Sequence, residues 1–334
     1  MLFLGNSYTF QGELDQVVAE LFAAADMEVA AQRLAQPGWS FVDHVEAVET
    51  DGSAHALAFA EPHDWVILQE QSQIPGFPEG QSDFEASRDG AVTLDGHAAD
   101  SGAQTMFLMT WGRRAGDSTN LDIFPDYPTM QAALAEGYTT YVAEASADGT
   151  QAWIAPAGLA WQAVYEDVIA GGGDPTDPTS TFGGLYVDDG SHPSARGTYL
   201  AACVIYASIT GDSPEGLGAP EEVADATYLQ GIAAEVVLSG QGFEYPWETT
   251  DPIDTGDTGD SETGDSETGE PDKTDGADTA TTATNGCGCV SGRGSAWWMG
   301  MGALFLGRRR RWPTPREDST SSGRGDPPAR RTEA

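Results

Sequence analysis

The sequence predicts an α/β protein, a three-layer sandwich with a central parallel sheet, and three observations predict it. Short apolar runs of strand length alternate with amphipathic helical stretches through residues 1–248. The runs have the apolar character of strands buried on both faces. Hydrophobic residues make up 40% of the 334-residue chain, enough to build a core. Three cysteines, two of them close together near the end, exclude a disulfide framework, so that core stands without staples.

Taken in chain order, strands are predicted at Met1 to Leu4, Val29 to Leu34, Trp65 to Leu68, Thr105 to Met109 and Trp153 to Ala155. Apolar residues recur at helical spacing over Leu14 to Ala25, Phe84 to Ala99, Met130 to Ala145, Ala157 to Ala170 and Tyr199 to Ile209. Strand followed by helix, repeatedly, implies a flavodoxin-like sandwich with its active residues beyond the carboxyl ends of the strands. Composition changes sharply at Thr249. Residues 249–285 are dominated by Asp, Glu, Thr, Ser and Gly, and Asp-Ser-Glu-Thr-Gly repeats in tandem at 260–264 and 265–269. Such a self-repelling segment lacks the apolar surface to offset the entropy of folding and is predicted to be a disordered linker. Its aspartates lack the closing bidentate Glu of a calcium loop.

Residues 286–311 run in a fixed order: Cys287 and Cys289, an apolar stretch at 295–307, then Arg308, Arg309, Arg310 and Arg311. The apolar stretch is short for a membrane span of about 20 residues. The order resembles the MYXO-CTERM sorting signals of bacterial surface proteins, which implies sorting or processing machinery and the membrane as partners; residues 312–334 read as a disordered tail. The amino terminus lacks the basic region and long apolar stretch of a secretory leader. Since a sorting signal acts on exported proteins, a leader upstream of Met1 and a cell-surface or secreted location are expected, or a cytoplasmic one if Met1 is the native start. The formal net charge of -38, from 15 basic and 53 acidic residues, argues against nucleic acid as a partner.

Ser7 directly follows the first strand, at a turn leading into a helix whose amino-terminal N–H groups can stabilise an anion. A hydroxyl is inert near neutral pH without a base, and a base needs an orienting acid. Asp189-Gly190-Ser191-His192-Pro193 supplies both, with a spacing that lets the carboxylate hold one imidazole nitrogen while the other faces the serine. Gly5-Asn6-Ser7, Gly38 after the second strand, an amide after the third and Asp189-x-x-His192 resemble, in order, the blocks of the SGNH (GDSL-like) hydrolase superfamily over roughly residues 1–210. The resemblance implies Ser7 as nucleophile, His192 as general base and acid, Asp189 as its orienter, and an oxyanion hole from the Ser7 N–H, the Gly38 N–H and a side-chain amide. Gln69-Glu70-Gln71-Ser72 stands where the family usually has Gly-x-Asn-Asp, resembling a bacterial variant branch. Gln71 is the expected donor and Gln69 the second choice, because a Gln amide donates the same bond with one more methylene of reach.

Arg113 and Gln69 are candidate substrate contacts, with Arg114 beside the former; exposed arginines are more often solvated surface. Trp39, Trp111 and Trp161 could line a sugar or acyl site, though packing is the commoner use of such rings. Gly-Asp-Ser also occurs at 116–118, 211–213, 259–261 and 264–266, and none of these follows the first strand. A Gly-x-Ser-x-Gly elbow is absent. His44, His55, His63 and His97 form no metal-ligand spacing, and phosphate-cradling glycine patterns are missing, so no cofactor or metal is expected. The expected function is a serine esterase, a surface carbohydrate O-acetylesterase acting on acylated polysaccharide. The alternatives are a lipid esterase or thioesterase of the same fold, and a surface-displayed binding module with a vestigial triad.

Overall fold

A computed structural model describes residues 1–240 and 242–248 of the chain, and the expectations for 249–285, 286–311 and 312–334 lie outside the described residues. Five parallel strands form one sheet in the order β2-β1-β3-β4-β5: β1 Leu2–Gly5, β2 Gln32–Ala35, β3 Trp65–Leu68, β4 Gln104–Leu108 and β5 Trp153–Ala155. The helices are α1 Ser7–Phe10, α2 Leu14–Ala24, α3 Phe41–Val48, α4 Ala54–Phe59, α5 Ser82–Asp100, α6 Tyr127–Ala145, α7 Ala157–Ala170, α8 Ala195–Thr210 and α9 Ala226–Leu238.

Because successive side chains of a strand point to opposite faces, each inner strand feeds two cores. Phe3, Ile67, Met106 and Ala155 pack with Val18 and Leu21 of α2, Trp161 of α7, Cys203 of α8 and Ile232 of α9. Leu2, Leu4, Val66, Leu68 and Phe107 pack on the other side with Phe41 of α3, Leu94 of α5 and Tyr138 of α6. The sheet is thus covered on both faces, the three-layer arrangement the alternating pattern predicts.

Two local readings are corrected. The second strand starts at Gln32 rather than Val29 and is only partly buried, because it is the sheet's edge: Gln32 is exposed, while Arg33 pairs with Asp15 of α2 at 2.6 Å. Helices α3, α4 and α9 were not among the predicted elements. The first is short, but Ser40 and Asp43 cap it reciprocally, and Phe41, His44 and Val48 form its buried stripe. Beyond α9, Tyr245 is fully buried in the same core as α7 and α8.

The topology sets the position of the site. From β1 the chain moves to one side for β2 and returns to the other side for β3, so connections diverge between β1 and β3. That divergence opens a crevice at the strands' carboxyl ends. Register aligns Leu4 with both Leu34 and Leu68, which places the residues following β1, β2 and β3 around one opening.

Candidate active site

Ser7 is the first residue of α1, held by a turn the sequence specifies tightly. Asn6 caps that turn, its Oδ1 accepting the Tyr8 N–H at 3.1 Å while its Nδ2 donates to the Trp39 carbonyl at 3.0 Å. Gly5 is obligatory for a steric reason: a Cβ there would lie 2.4 Å from Thr9 Oγ1 and 2.6 Å from Gln69 Oε1.

Ser7 Oγ lies 2.8 Å from His192 Nε2, across 185 residues of chain. His192 Nδ1 lies 2.6 Å from Asp189 Oδ2. The other carboxylate oxygen, Oδ1, accepts the backbone N–H of Ser191 at 2.8 Å and of His192 at 2.9 Å. Burial alone would raise the Asp189 pKa, but the His192 side chain and these two N–H groups outweigh it and leave the carboxyl below its ordinary value. The carboxylate is nonetheless 47% exposed and the imidazole 25%.

The loop carrying Asp189 and His192 is fastened from three directions. Tyr8 Oη lies 2.7 Å from Ser191 Oγ, Trp111 Nε1 donates to the Ser191 carbonyl at 3.1 Å, and the Arg114 N–H donates to the Gly190 carbonyl at 2.8 Å. Tyr8 stacks on Trp111 at 5.0 Å, and Trp111 on Trp161 at 3.9 Å. Trp111 and Trp161 are fully buried, so their use is packing beneath the site. Tyr8 and Ser191 are not singled out by the sequence pattern; their adjacency to Ser7 and His192 is the available signal.

The chain is similar to several solved structures. A DUF4886 family protein from Bacteroides uniformis is 19% identical, with 74% of this chain and 97% of that chain covered, at a TM-score of 0.57. The two share the fold. A protein of Slackia heliotrinireducens assigned to the SGNH hydrolases is 28% identical, covering 61% of this chain and 95% of its own, at a TM-score of 0.46. The acetylxylan esterase Axe2 of Geobacillus stearothermophilus is 15% identical over 61% of this chain and 89% of its own, at a TM-score of 0.40. No family model and no curated protein matches the chain.

A cleft of about 130 Å³ opens at Ser7, lined by Asn6, Tyr8, Gly38, Gln71, Ser72, Arg113, Ser191 and His192. Gly38 has φ +76 with open space where a side chain would be, a conformation L residues rarely adopt. Gln71 Oε1 accepts the Gln73 N–H at 3.0 Å. That bond commits the amide oxygen and leaves Nε2 as the side chain's donor.

Gln69, a candidate substrate contact and second-choice donor, is placed elsewhere. It is 1% exposed, and its Oε1 accepts the Asn6 N–H at 3.0 Å and Thr9 Oγ1 at 2.9 Å, while its Nε2 donates to the Glu70 carbonyl. With every polar atom committed inside, it braces the turn that carries Ser7 and cannot reach a ligand. Arg113 does line the cleft, but its guanidinium is tied to Asp117 Oδ1 and Gln73 Oε1, each at 2.6 Å, and to Ser72 Oγ at 3.3 Å.

His44 and His55 form a buried pair beside the site. Since a carbonyl only accepts, His44 Nε2 donates to the Gly5 oxygen at 3.0 Å, so its Nδ1 must accept from His55 Nε2 at 3.1 Å. Burial lowers the His44 pKa to about 4, holding it neutral. Trp39, half-buried, stacks on His55 at 5.4 Å. Among the described residues no cluster of His, Cys, Asp and Glu is arranged to hold a metal, and no helix is long and apolar enough to cross a membrane.

Proposed function

We propose that the chain is a serine esterase of the SGNH type, working through an acyl-enzyme. The reading is carried by the hydrogen-bonded series Ser7, His192, Asp189, which opens on a cleft carrying uncommitted donors. Ser7 Oγ attacks the ester carbonyl as His192 Nε2 takes its proton; Asp189 keeps the other ring proton on Nδ1 and stabilises the imidazolium. The Ser7 and Gly38 N–H groups and the Gln71 amide receive the charge that develops on the carbonyl oxygen. His192 then returns the proton to the leaving alcohol and activates water for deacylation.

The preferred substrate is an acetyl ester on polysaccharide. The cleft at Ser7 is small, about 130 Å³, which suits an acetyl group better than a long acyl chain. Together with the carboxyl-terminal sequence, this favours a carbohydrate esterase at the cell surface, sorted through residues 286–311. Deleting those residues from the exported protein is expected to release it into the medium, and unchanged retention would remove that part of the reading.

The deciding experiment is turnover of p-nitrophenyl acetate with fluorophosphonate labelling. Wild type should turn over and label, and Ser7→Ala should do neither. Undiminished labelling of folded Ser7→Ala would refute the nucleophile, and a Ser7-independent or absent rate would favour a binding module.

A further inference from the structure

The three residues that leave β3 go three ways: Gln69 inward to the nucleophile turn, Gln71 to the cleft, and Glu70 between them into the core. Glu70 is fully buried, and among the described residues it has no ion-pair partner. An unpaired buried carboxylate costs several kcal/mol, so packing alone would be better served by an apolar residue or a glutamine. What Glu70 has instead is donors. The Phe41 N–H, first in α3, lies 3.0 Å from each of its oxygens. The Gln71 N–H donates to Oε1 and Ser87 Oγ to Oε2. Tyr141 Oη, 2.7 Å from Ser87 Oγ, completes a relay in which the tyrosine donates to the serine and the serine to the carboxylate.

Two of these donors belong to the segments that frame the cleft. Phe41 begins the helix three residues after Gly38, and the Gln71 N–H is the backbone of a residue that lines the cleft with Ser7. We propose that Glu70 is a positioning residue for the oxyanion hole: its ionised carboxylate ties α3 to the end of β3 and so fixes the Gly38 loop and Gln71 relative to one another. The assignment rests on the esterase reading for its catalytic consequence, but the tie itself is a property of the fold.

The tie is titratable. Burial pushes the Glu70 carboxyl up to about 7, opposed by the donors Ser87, Gln71 and Phe41 and reinforced by the charge on Asp43. The groups facing it are Phe41 N–H and Asp43 from α3, Ser87 from α5, and Tyr138 and Tyr141 from α6, with Tyr138 Oη 3.3 Å from its own N–H. Protonation on Oε2 sets its O–H against the Ser87 hydroxyl and leaves Oε1 alone to accept from Phe41 and Gln71, so the tie is altered rather than cut.

The test uses the full chain, with p-nitrophenyl acetate kinetics against pH and amide exchange at Phe41 and Gln71. Glu70→Gln should lower kcat by up to about 100-fold with KM within about twofold, the loss expected for displaced rather than missing donors. Ser87→Ala removes one donor to the ionised form, which should move the acid limb of kcat upward by about one pH unit while leaving its plateau near wild type. In Glu70→Leu, which offers no acceptor, the Phe41 and Gln71 amides should exchange about fivefold or more faster than in wild type, relative to the intrinsic rate. Superimposable acid limbs for Ser87→Ala and wild type overturn the proposal, as does unchanged protection of the two amides in Glu70→Leu. Should Glu70→Gln not fold, Ser87→Ala and the exchange data decide. Absent turnover in wild type would fall on the esterase reading, and exchange would still judge the tie.

Discussion

Replacing Asp189 with Asn changes one atom and should invert the proton map of the site. The Asp189 Oδ1 atom accepts two backbone N–H groups, at 2.8 and 2.9 Å, while Oδ2 faces His192 Nδ1 at 2.6 Å. In Asp189→Asn the amide oxygen must stay on the two N–H groups, since turning the NH2 toward them sets donor against donor and forfeits both bonds. The NH2 then faces His192 Nδ1, which can only meet it as an acceptor. The ring proton moves to Nε2, 2.8 Å from Ser7 Oγ, and the base is blocked. Recovering the productive tautomer requires the amide to flip at about 1 kcal/mol per lost bond, about 2 kcal/mol in all or roughly 30-fold. Losing the carboxylate's pull on the imidazolium adds about 1 kcal/mol, roughly fivefold, because a pair exposed by 47% and 25% is largely screened. The product is about 100-fold in kcat/KM, well short of the roughly 10,000-fold seen where the acid is buried. The assay is p-nitrophenyl acetate turnover, with the His192 tautomer read by nitrogen NMR. A loss under about threefold, or a His192 that keeps its proton on Nδ1, would refute the reasoning.

The two glutamines should separate cleanly. Gln71→Ala removes a donor from the cleft and should lower kcat by about 100- to 1000-fold with KM little changed, whereas Gln69→Ala unbraces the nucleophile turn and should lower Tm as well as activity. Finding the catalytic signature in a fully stable Gln69→Ala would reverse the two roles. Stability against pH should show two opposed slopes: His44, lowered from 6.5 to about 4, takes up its proton more readily unfolded, so its contribution is lost as pH falls through that window, by up to about 3 kcal/mol. Glu70, raised from 4.5 to about 7, holds its proton more tightly when folded, so its contribution is lost as pH rises from 4.5 to about 7. Wild-type Tm should therefore vary little where the windows overlap, and His44→Gln should expose a Tm that falls with rising pH; a Tm rising with pH in that variant would contradict the assignment. Truncation after residue 248 should leave kcat/KM unchanged, because the cleft residues all precede residue 193 and, among the described residues, Trp247 is the last to pack on the core, and a folded but inactive truncated protein would show that later residues enter the site.

The sequence by itself determined the layered parallel architecture, because strand and helix periodicities are local and are written into consecutive residues. It also determined Ser7, Asp189 and His192 as the residues to examine: a serine after the first strand and an Asp-x-x-His loop are patterns of spacing. Gly38 was legible as a glycine after the second strand, though only the fold shows its φ of +76. Helix α3 was also within reach, through the Ser40 and Asp43 cap, but tertiary contacts of Phe41, His44 and Val48 are what hold so short a helix. What the fold alone decided is direction. Gln69, Glu70 and Gln71 are three adjacent polar residues with no local feature to rank them, and their roles depend on where β3 ends against β1 and which neighbours meet each side chain. The partners are Asn6 and Thr9 for Gln69, Phe41 and Ser87 for Glu70, and Gln73 for Gln71. One step of register would bring Glu70 to the position of Gln69 or of Gln71, and register is fixed by contacts far apart in the chain.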